Sequence, residues 1–261
     1  RQLTRVQASH WILQNLPADY SLTIDGIDGS PRMVNIGLPN DSLPDEEALV
    51  ANATHYREDG SAKTARFTAP AAGTVTRVHA AHLGDPARDD EPETVWVGLW
   101  DVAEGRLIGE GRLTADFSQG ESPLGQPYDI PLEEPVTLLA GREYELQTRA
   151  EAGAPFIVAG AVIATEGPWD DPIPWKVCAS PNGQPWTPDT PPGLVSLDQC
   201  VGLDGFGMGY YQGLELFMAA EDDEGKRQII QNVLDQAEYL TISSNRFYDS
   251  LSRLPTRFPL S

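Results

Sequence analysis

Residues 141–150 read GREYELQTRA, and their alternation decides the fold. Tyr144, Leu146 and Thr148 fall on one side of an extended chain. Glu143, Glu145, Gln147 and Arg149 fall on the other, the pattern of a strand with one buried face. The same texture spreads outward from about Lys63 to Thr165: ARFTAP, TVTRVHAAHL, TVWVGLWDV, RLIGEGRLTA, YDIPL, VTLLA, REYELQTRA and PFIVAGAVIA. Short strands at this spacing, with turns between them and almost no helical periodicity, predict an antiparallel, jelly-roll-like β-sandwich.

The flanks read differently. LTRVQASHWILQNLPADYSLTIDG repeats Leu3, Val6, His10 or Trp11 and Leu13 at helical spacing, stops at Pro17, and continues into a strand-like YSLTI. DDEGKRQIIQNVLDQAEYLTISS places Ile229, Ile230, Val233, Leu234 and Ala237 on one helical stripe behind acidic residues, and then gives YLTIS. Two distant helix–strand units predict a small α/β layer, so the expected class is α+β. Residues 1–26 and 161–261 form a discontinuous α/β domain, 27–160 an inserted sandwich with a polar lead-in over 26–62, and 167–213 a long irregular arm. That arm holds eight prolines and eight glycines.

Composition narrows the partners. With 18 basic and 39 acidic residues the formal charge is -21, a field that repels nucleic acid and anionic lipid and suits cations, calcium included, and neutral partners. The longest apolar run, FIVAGAVIA, is too short to span a bilayer. With neither an initiator Met nor a signal peptide, the chain reads as a processed or excised piece. Cys178 and Cys200 bracket a Pro- and Gly-rich stretch with no histidine nearby, which argues against zinc. As a disulfide in an oxidising compartment they would be worth about 3 kcal/mol, and two free thiols are the other reading.

Several groups are candidates for chemistry, each beside a structural alternative. In TEGPWDDPIPW, Glu166, Asp170 and Asp171 form a carboxylate set for a hard cation or acid–base work, and Trp169 and Trp175 offer flat faces to a sugar. A proline-stiffened turn accounts for the same residues. In the loop GDPARDDEPE, Asp85, Asp89 and Asp90 are candidate calcium ligands, although the spacing is not that of an EF-hand. Trp96 and Trp100 share one face of a strand with Gly98 between them, while Val95, Val97 and Leu99 take the other. They form a sugar platform if the valine face is the core, and are themselves core if both faces are covered. After YLTIS, Asn245, Arg246, Tyr248 and Arg253 form a polar set able to grip a phosphate or sugar hydroxyls, at the place where α/β sheets carry ligand loops. The competing reading pairs these arginines with the chain's own acidic surface. No H-E-x-x-H, G-x-S-x-G or phosphate-binding loop occurs, and GLDGFGMGYYQG reads as loop.

Two blocks carry a resemblance. EGPWDDPIP, and DEGKRQIIQNVLDQAEYLTISSNRFYDSLSRLPTRFP, resemble the extracytoplasmic portion of multi-spanning bacterial and archaeal membrane proteins related to GT-C glycosyltransferases of the protein O-mannosyltransferase type. The middle of the chain, with LWD and PVTLLAGREY, is similar to sandwich modules appended to secreted carbohydrate-active proteins. The resemblance implies an extracytoplasmic domain of a multi-pass parent. It would bind a glycan or a polyprenyl-linked sugar or acceptor through Glu166, Trp169, Asp170, Asp171, Asn245, Arg246, Tyr248 and Arg253. Catalytic acids of such parents lie between membrane helices that this chain does not contain, so the fragment is expected to be non-catalytic alone. Gly167 and Pro168 stand where a histidine is common, so no catalytic or metal role is carried to this turn. The alternatives are a calcium-stabilised interaction or adhesion module and a glycoside hydrolase built on two carboxylates.

Overall fold

A computed structural model describes residues 11–38, 53–57, 60–89, 91–120, 122–153, 155–166, 211–216 and 224–241. The chain divides into two compact units, one of residues 12–161 with 205–211, the other of 1–11, 162–204 and 212–261.

The first unit is a β-sandwich. Its strands are β1 (Tyr20–Gly26), β2 (Pro31–Ile36), β3 (Thr54–Tyr56), β4 (Lys63–Thr68), β5 (Gly73–Gly84), β6 (Glu93–Asp101), β7 (Arg106–Ala115), β8 (Gln126–Leu138), β9 (Glu143–Ala152) and β10 (Phe156–Ala159). They follow one path, β2-β1-β5-β8-β7-β6-β9-β4, with β10 pairing both β5 and β3, and every pairing is antiparallel. The path turns from one sheet to the other where Gly111 of β7 meets Leu132 of β8. A Cβ on Gly111 would lie 2.3 Å from the Pro131 carbonyl oxygen, so the two backbones meet there only because the residue is glycine.

Alternation fills the space between the sheets. Tyr144 and Leu146 of β9 are buried with Val95, Val97 and Leu99 of β6, and they share one core with Leu22, Ile24, Val78, Ala80 and Ile130. Each of the valines, leucines and isoleucines among them contributes about 1.5–3 kcal/mol by leaving water. Phe156 stacks on Tyr56 at 4.7 Å and meets Phe117 edge-on at 5.2 Å. Thr148 is polar in this apolar row because it completes a buried hydroxyl chain. Tyr20 and Tyr56 share a 2.9 Å hydrogen bond, and Tyr56 meets Thr148 Oγ1 at 2.5 Å.

The second unit holds a three-stranded parallel sheet in the order β12-β11-β13, formed by β11 (Val162–Glu166), β12 (Gln212–Leu216) and β13 (Tyr239–Thr241). Helix α1 (Glu224–Gln236) links β12 to β13. No helix among the described residues is long and apolar enough to cross a membrane.

Four expectations change. The described residues are mainly β rather than α+β, since helix is confined to α1 and a turn at 11–15. YSLTI, assigned above to the α/β domain through residue 26, is β1 of the sandwich, bonded to β2 and β5; its Tyr20, Leu22 and Ile24 belong to the sandwich core. The lead-in over 26–62 contributes β2 and β3 to that sandwich, the first by a hairpin whose turn puts Gly29 at φ 76°. In α1 the inward stripe is Lys226, Ile230 and Val233, continued by Ala237 just past its end, whereas Ile229 and Leu234 stand 50% and 44% exposed.

Gly125 has φ 85° and a Cβ there would sit 1.7 Å from the Leu83 carbonyl oxygen, while Gly141, at φ 74°, has open space around it. Gly141→Ala should cost about 1–2 kcal/mol, the price of a left-handed non-glycine, and Gly125→Ala distinctly more, read from paired urea melts. Asp19 is fully buried; its Oδ2 accepts from the Leu38 N–H at 3.2 Å and the Thr54 hydroxyl at 3.3 Å. Burial pushes its carboxyl well above the ordinary 3.8, outweighing the hydrogen bonds that lower it. The protonated form is therefore favoured by folding, a stabilisation complete below the unfolded value and lost as pH rises through the folded one. Relative to Asp19→Asn, the unaltered chain should gain stability between pH 7 and pH 4; a constant difference would contradict this.

Candidate functional site

Three places bring together residues with chemistry to offer. The first is the C-terminal edge of the parallel sheet. Glu166, the last residue of β11, lies opposite Leu216 of β12, and Thr165 opposite Thr241 of β13. Because all three strands run the same way, the chain after Glu166 and the chain after Thr241 start from one edge. A helix joining parallel strands must run back against them, so α1 begins at that same edge. Lys226, in its first turn, is 2% exposed. Sequence reasoning missed Lys226; the available signal was a lysine on the apolar stripe, one turn before Ile230. The opposite end of the sheet is tied by Glu238, whose backbone N–H reaches the Val162 carbonyl at 3.0 Å and whose Oε2 accepts from the Val162 N–H at 2.9 Å. Trp169, Asp170, Asp171, Trp175, Cys178, Cys200, Asn245, Arg246, Tyr248 and Arg253 lie outside the described residues.

The second place is an acidic corner of the sandwich, between β5 and β6. Asp85, Asp89 and Glu93 bring one carboxylate oxygen each to within 4.8 Å of one another. Asp85 and Glu93 are 4% and 2% exposed. The loop is wound onto Asp85, whose two oxygens accept from the Ala87 N–H at 2.8 Å and the Asp89 N–H at 3.2 Å. Arg88 takes the left-handed conformation at φ 52° to allow it. Glu93 Oε2 accepts from the Phe117 N–H at 2.7 Å. Burial raises the Glu93 carboxyl first of all, and the charges of Asp85 and Asp116 push the same way. Of the sequence-expected trio, Asp85 and Asp89 are here and Asp90 lies outside the described residues; Glu93 joins them. The spacing of four residues between each member was the sign that could have found it. Two carboxylates buried side by side repel one another, which costs stability. A hard cation taking oxygen ligands would offset that cost.

The third place is the outer face of the sheet β7-β6-β9-β4. The valine side of β6 is core, so Trp96 and Trp100 stand on the outside. Trp96 is nevertheless only 3% exposed. Its ring lies over Gly98, where a Cβ would come within 2.3 Å of Trp96 Cη2, and the Arg149 guanidinium caps it at 3.9 Å from the ring centroid. Its Nε1–H donates to Glu110 Oε2 at 2.7 Å, which is the first reason the Glu110 carboxyl sits below its ordinary value. Arg112 then bonds Glu110, Glu133 and Glu151 at 3.2, 2.7 and 3.0 Å.

One polar row looks like nucleophile chemistry and is not assembled. His79 Nδ1 meets Asp129 Oδ1 at 2.8 Å, and Ser21 lies directly across from His79 on β1. Ser21 is buried, and among the described residues its hydroxyl makes no hydrogen bond to the ring.

No protein-family model and no curated protein matches this chain. Among solved structures, an arabinose-bound α-L-arabinofuranosidase, MgGH51, aligns with 47% of this chain and 20% of its own, at 12% identity and a TM-score of 0.18. Overlap that slight carries no argument about fold or activity.

Proposed function

We propose that the chain is a non-catalytic, extracytoplasmic binding domain of a larger membrane-spanning, glycosyltransferase-like protein, and that it holds a glycan or a polyprenyl-linked sugar or acceptor. The observation that carries this reading is the parallel pairing of β11 with β13, which starts the segments after Glu166 and after Thr241 from one edge. Those segments hold Trp169, Asp170, Asp171, Asn245, Arg246, Tyr248 and Arg253, an aromatic, acidic and guanidinium set suited to ring faces, hydroxyls and a phosphate. The resemblance of both blocks to GT-C-related proteins supports the same parent. The charge of -21 turns nucleic acid away. A glycan array that includes polyprenyl-phosphate sugars tests it. Binding should fall at least about tenfold in Glu166→Gln and in Arg246→Ala, the size of a lost charged hydrogen bond. A chain that captures no sugar ends the proposal.

The acidic corner favours a second role alongside the first, in which calcium stiffens the sandwich through Asp85, Asp89 and Glu93. At a hundredfold excess over its dissociation constant, calcium should add about 2.7 kcal/mol. That corresponds to a melting temperature higher by roughly 5–10 °C for a chain of this size. Asp85→Asn with Glu93→Gln should abolish the rise. A calcium-insensitive melt of the unaltered chain would remove the ion from the account.

A further inference from the structure

The outer face of the sandwich carries a tryptophan that the core does not need. Trp96 lies flat on its strand, its edge donor is taken by Glu110, and the Arg149 guanidinium caps its ring. Arg149 is held there from the side by Glu151, at 3.0 Å, and Glu151 is shared with Arg112. Four residues on, Trp100 faces the same way, about 13 Å along the strand. It is half-buried, and its Nε1–H is screened from solvent with no acceptor among the described residues. An indole donor left unpaired is costly, and a hydroxyl would satisfy it. Gly98 lies under the Trp96 ring, where a Cβ would clash, and Gln147 lies beside it on β9, adding an amide.

We propose that this strip is a subsite for a short neutral oligosaccharide, and that Arg149 is its displaceable cap. A sugar ring would stack on Trp96 in place of the guanidinium. Arg149 would then swing out on its long stem, still paired with Glu151. Charge selects the ligand class. Glu110, Glu133 and Glu151 exceed Arg112 and Arg149 by one, on a chain of -21, so anionic glycans are repelled. The inference rests on the glycan-binding reading and assigns it a second site, separate from Glu166 and the residues beyond β13.

Calorimetric titration of the full chain with cellohexaose, mannohexaose and laminarihexaose tests it. Arg149→Ala frees the ring without touching the donors, and should bind one of these about threefold to fivefold tighter than the unaltered chain. Trp96→Leu should abolish that binding, and Glu166→Gln should leave it unchanged. Because Trp96→Leu disturbs a buried side chain, Arg149→Ala decides the matter. Equal or weaker affinity in Arg149→Ala, or no heat from any hexasaccharide with either chain, overturns the cap. Binding that is lost in Glu166→Gln and indifferent to Arg149→Ala would keep the edge site and discard this one.

Discussion

The sandwich depends on one close approach of backbone to backbone, at Gly111 and Leu132. Through that pairing the strand path leaves one sheet and enters the other, so both inner faces turn toward a common interior. The neighbouring glycine serves the same turn. A Cβ on Gly109 would meet Val136 Cγ2 at 2.2 Å, which is the side chain that seals the core behind it. Hydrophobic burial supplies the energy, but it is indifferent to geometry. The missing side chains of two glycines decide that the layers close at this distance.

Much of this was legible in the residues. REYELQTRA alternates with a period of two, and its Tyr144 and Leu146 are inward; TVWVGLWDV alternates likewise, and of the two readings left open for it the valine side lines the core while Trp96 is buried as well. YDIPL and VTLLA read as two strands and proved to be one, β8, bending past Pro131 and Pro135. Its register against β5 shifts between Val75 and Arg77, and such a bulge absorbs the bend without ending the strand. PFIVAGAVIA read as one strand and proved to be two in separate sheets, divided at Gly160. Hydropathy reports that both halves are buried and is silent on which sheet each joins.

The small parallel sheet was harder to foresee because its partners are distant in sequence. YLTIS and YSLTI carry the same local pattern, and local pattern cannot say that the first pairs with VIATE while the second pairs with residues 31–36 and 73–80. The same blindness affected the sites. Asp85 and Asp89 were singled out as loop carboxylates, whereas Glu93, the last residue of the same acidic loop, was not; folding makes it the first residue of β6 and turns it toward them. Alternation put Trp96 and Trp100 on one side of the strand but left open whether that side was covered; the cap was not legible at all, because Arg149 arrives from a strand 53 positions later in the numbering.

The path of the sandwich ends, among the described residues, at β2 on one side and β4 on the other. Both carry features that discourage a neighbouring molecule from adding a strand. β2 opens with Pro31, which has no amide proton to offer, and an exposed Arg32. β4 presents Lys63 and Arg66. Lateral growth into fibrils would have to desolvate these charges and register around a proline. The large negative charge adds repulsion between whole molecules.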